Sequence, residues 1–161
     1  MTGVVVQVSI SAGGVPNRVT KEGNVTRNGI EGDGWRHPAF HGTAKRAILL
    51  ITSESVDELA AQGFPVFYGA LGENITTRGL DRRSLRIGQR FRAGQAVIEL
   101  TEVRLPCDTL SVYGAGIQAA IYDDRAQAGD TASLVWGMSG FYASVREPGI
   151  LRAGDPIALC K

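Results

Sequence analysis

Two cysteines, two histidines, no long apolar run and almost no net charge define this sequence first by what it lacks. With 17 basic residues against 16 acidic ones, the formal charge of +1 provides no global field for a polyanion. Nucleic-acid binding modules neutralise phosphates with a concentrated basic excess, so any anion site here must be local. The opening residues, Met1 to Gly14, carry no basic segment, and their apolar run breaks at Gln7 and Ser9. Neither a secretory leader nor a membrane anchor is expected there, and the cytoplasm is the expected location. Cys107 and Cys160 could form one disulfide, but a reducing compartment makes two free thiols the expectation. At 161 residues the chain suits one core, and a single domain over 1–161 with no internal boundary is expected.

Glycine, by contrast, is abundant. Its 21 residues recur between short runs of Val, Ile and Leu, the pattern of many short strands. Val4, Val6, Val8 and Ile10 alternate and predict a strand with one core face, closed by Gly13-Gly14-Val15-Pro16. The continuous run Ala47–Ile51 predicts a strand buried on both faces. Arg90–Arg92, the turn Ala93-Gly94-Gln95 and Ala96–Val103 predict a hairpin with Ala96, Ile98 and Leu100 on one face. Phe141–Val145 and Pro156–Leu159 are expected as closing strands. A helix is expected after a cap at Thr52 or Ser53, with Glu54 and Asp57 in its first turn, Val56, Leu59 and Ala60 buried, and Gly63 ending it. A second helix is expected over Ile117–Ala126. Strands at both ends with helices between them predict a β-rich fold, and a barrel would remove exposed sheet edges.

Arg104-Leu105-Pro106-Cys107-Asp108 is the most informative segment. Pro106 should end the preceding strand. Asp108 could then cap a short turn from Thr109 to Tyr113, leaving Cys107 beside Arg104 and unpaired N–H groups that favour a thiolate. A thiolate is a nucleophile, a persulfide carrier and a soft metal ligand. An inert buried cysteine is the competing reading on composition alone.

A second segment, Asn28 to Gly42, is rich in glycine, which lets backbone amides approach an anion, and Arg36, Lys45 and Arg46 lie close in sequence. His37 and His41 are four apart, but Pro38 and Gly42 argue for irregular backbone, and no fourth ligand is evident for zinc. Glu73 and Asn74 follow Gly72 where such side chains commonly bind backbone. Arg78, Arg82, Arg83, Arg86, Arg90 and Arg92 fall within fifteen residues. Arg forks can hold phosphate, yet most such runs are solvated faces, so no more than one or two are expected to be functional.

Taken together, Gly32-Asp33, His41-Gly42 with Arg46-Ala47, Gly72-Glu73-Asn74-Ile75-Thr76, Arg104-Leu105-Pro106-Cys107, and Trp136-Gly137-Met138-Ser139-Gly140-Phe141-Tyr142 with Gly154-Asp155 resemble the MOSC family. These are the domains at the carboxyl end of molybdenum-cofactor sulfurases, found also as small independent proteins. The resemblance spans nearly the whole chain. It departs at Lys45, where the family often has an acid, and at Gln89 after Ile87-Gly88. It implies a barrel-like β fold and a molybdenum cofactor, molybdopterin, whose phosphate is held by basic residues. By that resemblance Cys107 is the catalytic thiol and molybdenum ligand, His41 a proton donor, and Arg46, Arg104, Asn74 and Asp33 cofactor contacts. The leading expectation is a reductase of N-hydroxylated compounds supplied by an electron-donor protein. The alternatives are a carrier whose Cys107 takes sulfur as a persulfide from a separate cysteine desulfurase, and a non-enzymatic carrier of the cofactor. Pyridoxal phosphate would belong to that desulfurase, since the aminotransferase-like domain of the full sulfurases is absent from this sequence. The amino-terminal domain of the larger amidoxime-reducing members is also absent, so the cofactor would be held with less protein or across a homodimer.

Overall fold

The computed structural model describes residues 1–11, 13–34 and 44–161. In chain order its elements are β1 (Thr2–Ile10), β2 (Arg18–Thr20), β3 (Glu22–Thr26), β4 (Gly29–Ile30), β5 (Ile48–Thr52), α1 (Ser53–Ala61), β6 (Ile75–Arg78), β7 (Arg90–Ala93), β8 (Ala96–Val103), α2 (Ile117–Ile121), α3 (Asp124–Gln127), β9 (Phe141–Glu147), β10 (Gly149–Arg152) and β11 (Pro156–Leu159). Among the described residues seven strands close into a barrel in the order β1-β11-β7-β8-β9-β5-β6 and back to β1. Closure leaves no edge for these strands to expose. β2 extends one end of β1, and β10, β3 and β4 form a small separate sheet. Each barrel pairing is antiparallel except β5 with β6. That parallel pair is joined through α1, which supplies the crossover that parallel strands need.

β5 lies between two apolar clusters, which is why its run has no polar alternation. Ile48 and Leu50 point into the barrel core with Ile75, Phe91, Ile98 and Phe141, while Leu49 and Ile51 face Leu59, Leu71, Ile117 and Met138 beneath the helices. The hairpin β7–β8 turns at Gly94-Gln95, and Ala96, Ile98 and Leu100 are buried on one face as their alternation predicts. In α1, Thr52 is the N-cap and accepts from the Ser55 N–H at 3.2 Å; Val56 and Leu59 are buried. Ala60 is exposed, and Ser53 and Ser55 take the remaining buried positions.

Three further expectations are corrected. The alternation Val4, Val6, Val8 does not hold one face: Val5 and Val8 are fully buried, because the register against β6 shifts between Val5 and Gln7. An extra residue on one strand reverses the facing of those that follow. The helix expected over Ile117–Ala126 is two short helices: Tyr122 is extended, and Asp123 starts α3 by accepting from the Ala126 N–H at 2.8 Å. The turn after Pro106 begins one residue earlier than expected: Cys107, extended at φ −97° and ψ 166°, is the N-cap of a 3-10 helix over Asp108–Tyr113. Among the described residues no helix is long and apolar enough to cross a membrane.

Candidate functional site

Where β1 and β8 end and β6 and β9 begin, the barrel carries a cleft whose walls include Asp33, Arg46, Asn74, Arg104, Cys107 and Tyr142. Arg104 follows the last residue of β8 and is 3% exposed. Its backbone N–H donates to the Gly140 carbonyl at 2.9 Å, while one guanidinium nitrogen donates to the Leu71 carbonyl at 2.8 Å and another to the Ser139 carbonyl at 3.4 Å. The Ser139 hydroxyl donates back to the Arg104 carbonyl at 2.6 Å. The Gly140 turn that makes this docking possible admits no side chain: φ is +95°, and a Cβ would lie 2.9 Å from the Leu50 carbonyl oxygen and 2.6 Å from Ile51 Cγ1.

Two features make Arg104 more than a structural strut. Its Nε–H is buried with no hydrogen-bond partner among the described residues. Leaving such a donor unpaired costs about 1–3 kcal/mol, more for a charged group, so a native structure keeps one where something supplies the acceptor. Behind it the fully buried Glu73 accepts from the Leu71 N–H at 3.2 Å. Burial pushes the Glu73 carboxyl above the ordinary range, opposed by backbone N–H groups, that of Gly69 foremost, and by the charge of Arg104.

Asp33 and Asn74 form the opposite wall. Asn74 precedes β6, and its side chain is spent on the protein: the amide donates to the Ser9 carbonyl at 3.2 Å and to Asp33 Oδ2 at 2.9 Å, and its oxygen accepts from the Leu49 N–H at 2.9 Å. The other Asp33 oxygen accepts from the Ser11 N–H at 2.8 Å. Asn74 therefore ties β1 and β5 together and aims Asp33. Burial pushes the Asp33 carboxyl up, and the Ser11 and Asn74 donors oppose the shift.

Cys107 is a free, half-buried thiol whose Sγ lies 2.7 Å from the Thr109 hydroxyl oxygen. Arg46, in a 3-10 turn ahead of β5, forks onto Glu102 of β8 through Nε and a second nitrogen, and its guanidinium carbon lies 5.3 Å from the centre of the Tyr142 ring. The Glu102 hydrogen bond raises the Arg46 guanidinium further above its ordinary value. Burial holds the Tyr142 hydroxyl above its ordinary range; Arg104 and Arg46 oppose this, and Glu102 and Cys107 add to it. Both tyrosine and thiol thus sit within one electrostatic neighbourhood.

Five of the six singled-out residues, Asp33, Arg46, Asn74, Arg104 and Cys107, line this one cleft. The sixth, His41, lies outside the described residues, as do Arg36 and His37. Among the described residues no group of three or more His, Cys, Asp or Glu is placed to hold a metal ion. The arginine run does not line the cleft. Arg83 pairs with Asp81, Arg90 with Glu99, Arg92 with Glu147, and Arg82 donates to the Leu134 and Trp136 carbonyls. Cys160 is exposed beyond β11. Sequence reasoning missed Glu102 and Thr109. Glu102 pairs with a residue 56 positions away, which no local pattern signals, whereas Thr109 is two residues from the thiol and could have been flagged.

The MOSC domain profile matches residues 37–158. The chain is 30% identical over 141 residues to the protein YiiM of Escherichia coli, covering 84% of this chain and 58% of that one. It is 28% identical over 136 residues to YflK of Bacillus subtilis, itself uncharacterized, covering 83% and 56%. The chain thus spans less than two thirds of the length of these curated relatives. The crystal structure of the YUAD protein from Bacillus subtilis superposes with a TM-score of 0.71 at 25% identity, covering 98% of this chain and 94% of that one.

Proposed function

The chain belongs to the MOSC domain family, and from that premise we propose that the cleft holds a molybdenum cofactor with the Cys107 thiolate as a molybdenum ligand, and that the protein reduces N-hydroxylated compounds. The observation that carries this reading is the convergence of Cys107 with Arg104, whose buried Nε–H has no acceptor among the described residues, in one cleft. The donor set fits the group. A thiolate is a soft ligand suited to a metal already held by dithiolene sulfurs, so one protein ligand is enough. The positive charge of Arg104 and its one uncommitted Nε–H suit a single oxygen of an anionic group.

When bound, the cofactor supplies a two-electron couple at a metal that can accept oxygen. The chain's own residues position and protonate. Arg104 offers Nε–H to an anionic oxygen and is fixed by Leu71 and Ser139. Arg46, steered by Glu102 and Tyr142, adds positive charge to the rim. Asn74 sets Asp33 rather than contacting the cofactor with a spare donor, because both its N–H bonds are taken. Tyr142 keeps its proton across the neutral range. His41 is assigned the proton-donor role only because an unperturbed imidazole changes charge near neutrality. In the overall reaction the N–O bond breaks, two electrons arrive from an electron-donor protein, two protons are taken up, and the amine and water leave.

A partly accessible thiol beside a hydroxyl also favours a second reading, in which Cys107 carries a persulfide received from a separate pyridoxal-phosphate-dependent desulfurase in the cytoplasm. Metal, pterin and sulfane-sulfur analysis of protein purified from a molybdenum-sufficient host separates the two, with reduction of an aromatic hydroxylamine by reduced methyl viologen as the activity test. Stoichiometric molybdenum with turnover is the expected result. Sulfane sulfur without metal would replace the proposal with the carrier, and molybdenum without turnover would leave a non-enzymatic cofactor carrier.

A further inference from the structure

Among the described residues two charged side chains are buried, Glu73 and Arg104, and they meet through a single residue. The Leu71 N–H donates to Glu73 Oε1 at 3.2 Å, and the Leu71 carbonyl accepts from the Arg104 guanidinium at 2.8 Å. The backbone that follows runs against the same guanidinium: a Cβ on Gly72 would lie 3.9 Å from Arg104 Nη2. The Asn17 amide clamps that backbone by donating to the Gly72 and Glu73 carbonyls at 3.1 and 3.2 Å. Among the described residues the Arg104 guanidinium donates to backbone carbonyls alone, so its charge is balanced from a short distance and not by contact. The groups that face Glu73 are the N–H groups of Gly69 and Leu71, the Thr76 hydroxyl at 3.4 Å, Arg104 and Tyr113. Burial, and then Glu73, hold the Tyr113 hydroxyl in its neutral form, which leaves Arg104 as the cation among them.

We infer that Glu73 is the resident counter-ion of Arg104 and sets how firmly the cleft keeps an anion, because an oxyanion at the Arg104 Nε–H binds in competition with it. The inference rests on the reading of Arg104 as the anion contact, and it adds a determinant of affinity that does not line the cleft. A buried guanidinium is costly without a negative charge nearby, and Glu73 supplies that charge when no anion is bound. Once an oxyanion accepts from the Nε–H, two negative charges share one positive charge in the interior. Glu73 relieves the repulsion by taking one proton from solvent, and as a neutral carboxyl it still accepts from the Leu71 N–H. The sign follows by reciprocity: a bound anion favours protonated Glu73, and protonated Glu73 favours the anion by the same factor. Retention is therefore strongest at acidic pH and weakens as pH rises through the range in which Glu73 ionises.

The test uses sulfate, whose own charge is constant from mildly acidic to mildly alkaline pH, and protein from a molybdenum-deficient culture. Sulfate affinity is measured by calorimetry across that range for the wild type and for Glu73→Gln, which keeps an acceptor for the Leu71 N–H but cannot ionise. The ratio of the two affinities removes the titration of groups common to both proteins, including Asp33 and Tyr142 in the cleft walls and the two histidines. The two proteins should bind alike on the acidic side, and the variant should bind about tenfold tighter on the alkaline side, a coupling of ordinary size. A residue that merely braced the loop would do the opposite and weaken binding at every pH when changed. A ratio that does not move with pH, or a variant that binds more weakly throughout, would overturn the inference. If circular dichroism shows that Glu73→Gln does not fold, the infrared difference spectrum of Asp33→Asn decides. Sulfate must then produce the carbonyl band of a newly protonated carboxyl near neutral pH, and its absence would overturn the inference equally. Arg104→Ala separates the two levels. Sulfate that does not bind, or binds as well without Arg104, would remove the reading on which the inference rests; binding that needs Arg104 but ignores Glu73 would remove the inference alone.

Discussion

Ser139 and Arg104 hold each other twice: the buried serine hydroxyl donates to the arginine carbonyl at 2.6 Å, and the serine carbonyl accepts from the guanidinium at 3.4 Å. The turn that precedes β9 thereby fixes both the backbone and the side chain of the residue three positions before the thiol. Ser139→Ala removes the first bond and leaves a carbonyl short of its donor in the interior, which costs about 1–3 kcal/mol. For a chain of this size each kcal/mol lowers Tm by roughly 2–4 °C. Thermal unfolding should show that loss, and cofactor content should fall with it; an unchanged Tm would mean the pair does not stabilise the fold.

Arg104→Ala should weaken cofactor retention at least about tenfold, since a hydrogen bond from a charged group contributes about 1.5–3 kcal/mol. Arg83→Ala should change nothing measurable, because its side chain is 73% exposed and surface ion pairs contribute little. Molybdenum content after dialysis reads both. Equal losses in the two variants would move the anion site from the cleft to the basic run.

The contrast between these two arginines also marks how far the sequence could be read. Glycine-punctuated strands, the doubly buried β5 and the β7–β8 hairpin were legible because each depends on local alternation or its absence. The register shift in β1 was not, since a bulge is set by the partner strand and not by β1's own composition. β2, β3 and β10 are short and partly exposed and β4 is only two residues long, so they carry little periodic signal. At the site, motif residues from separate segments meet in one cleft, but the fork between Arg46 and Glu102 and the full use of Asn74's amide are properties of the closed barrel. Asn74 in particular reads from sequence as a cofactor contact and in the structure as the residue that aims Asp33.

Three tyrosines give the pH dependence a definite sign. Burial pushes Tyr113, Tyr122 and Tyr142 above their ordinary value, with Glu73 adding to the first and Glu102 to the second; at Tyr142, Arg104 and Arg46 oppose the shift. A group whose folded pKa exceeds its unfolded one, about 10 for tyrosine, contributes stability that is fully present below the unfolded value and is lost as pH rises through the folded one. Tyrosinate absorbance should therefore appear at higher pH in the native protein than in urea, and the urea midpoint should fall across that window. Tyr142→Phe should flatten part of the fall. Coincident native and unfolded titrations would contradict the burial of these hydroxyls.

The account stands or falls on the sulfur of Cys107. Molybdenum K-edge X-ray absorption on the cofactor-loaded protein, compared with Cys107→Ser, reads the metal's sulfur ligands directly. A hydroxyl is a poor soft-metal ligand, so the serine variant should show one sulfur scatterer fewer, or lose molybdenum altogether, with its fold intact by circular dichroism. Cys160→Ser, altering an exposed thiol beyond the last strand, should match the wild type. An unchanged sulfur shell and full molybdenum content in Cys107→Ser would show that the thiol is not a ligand.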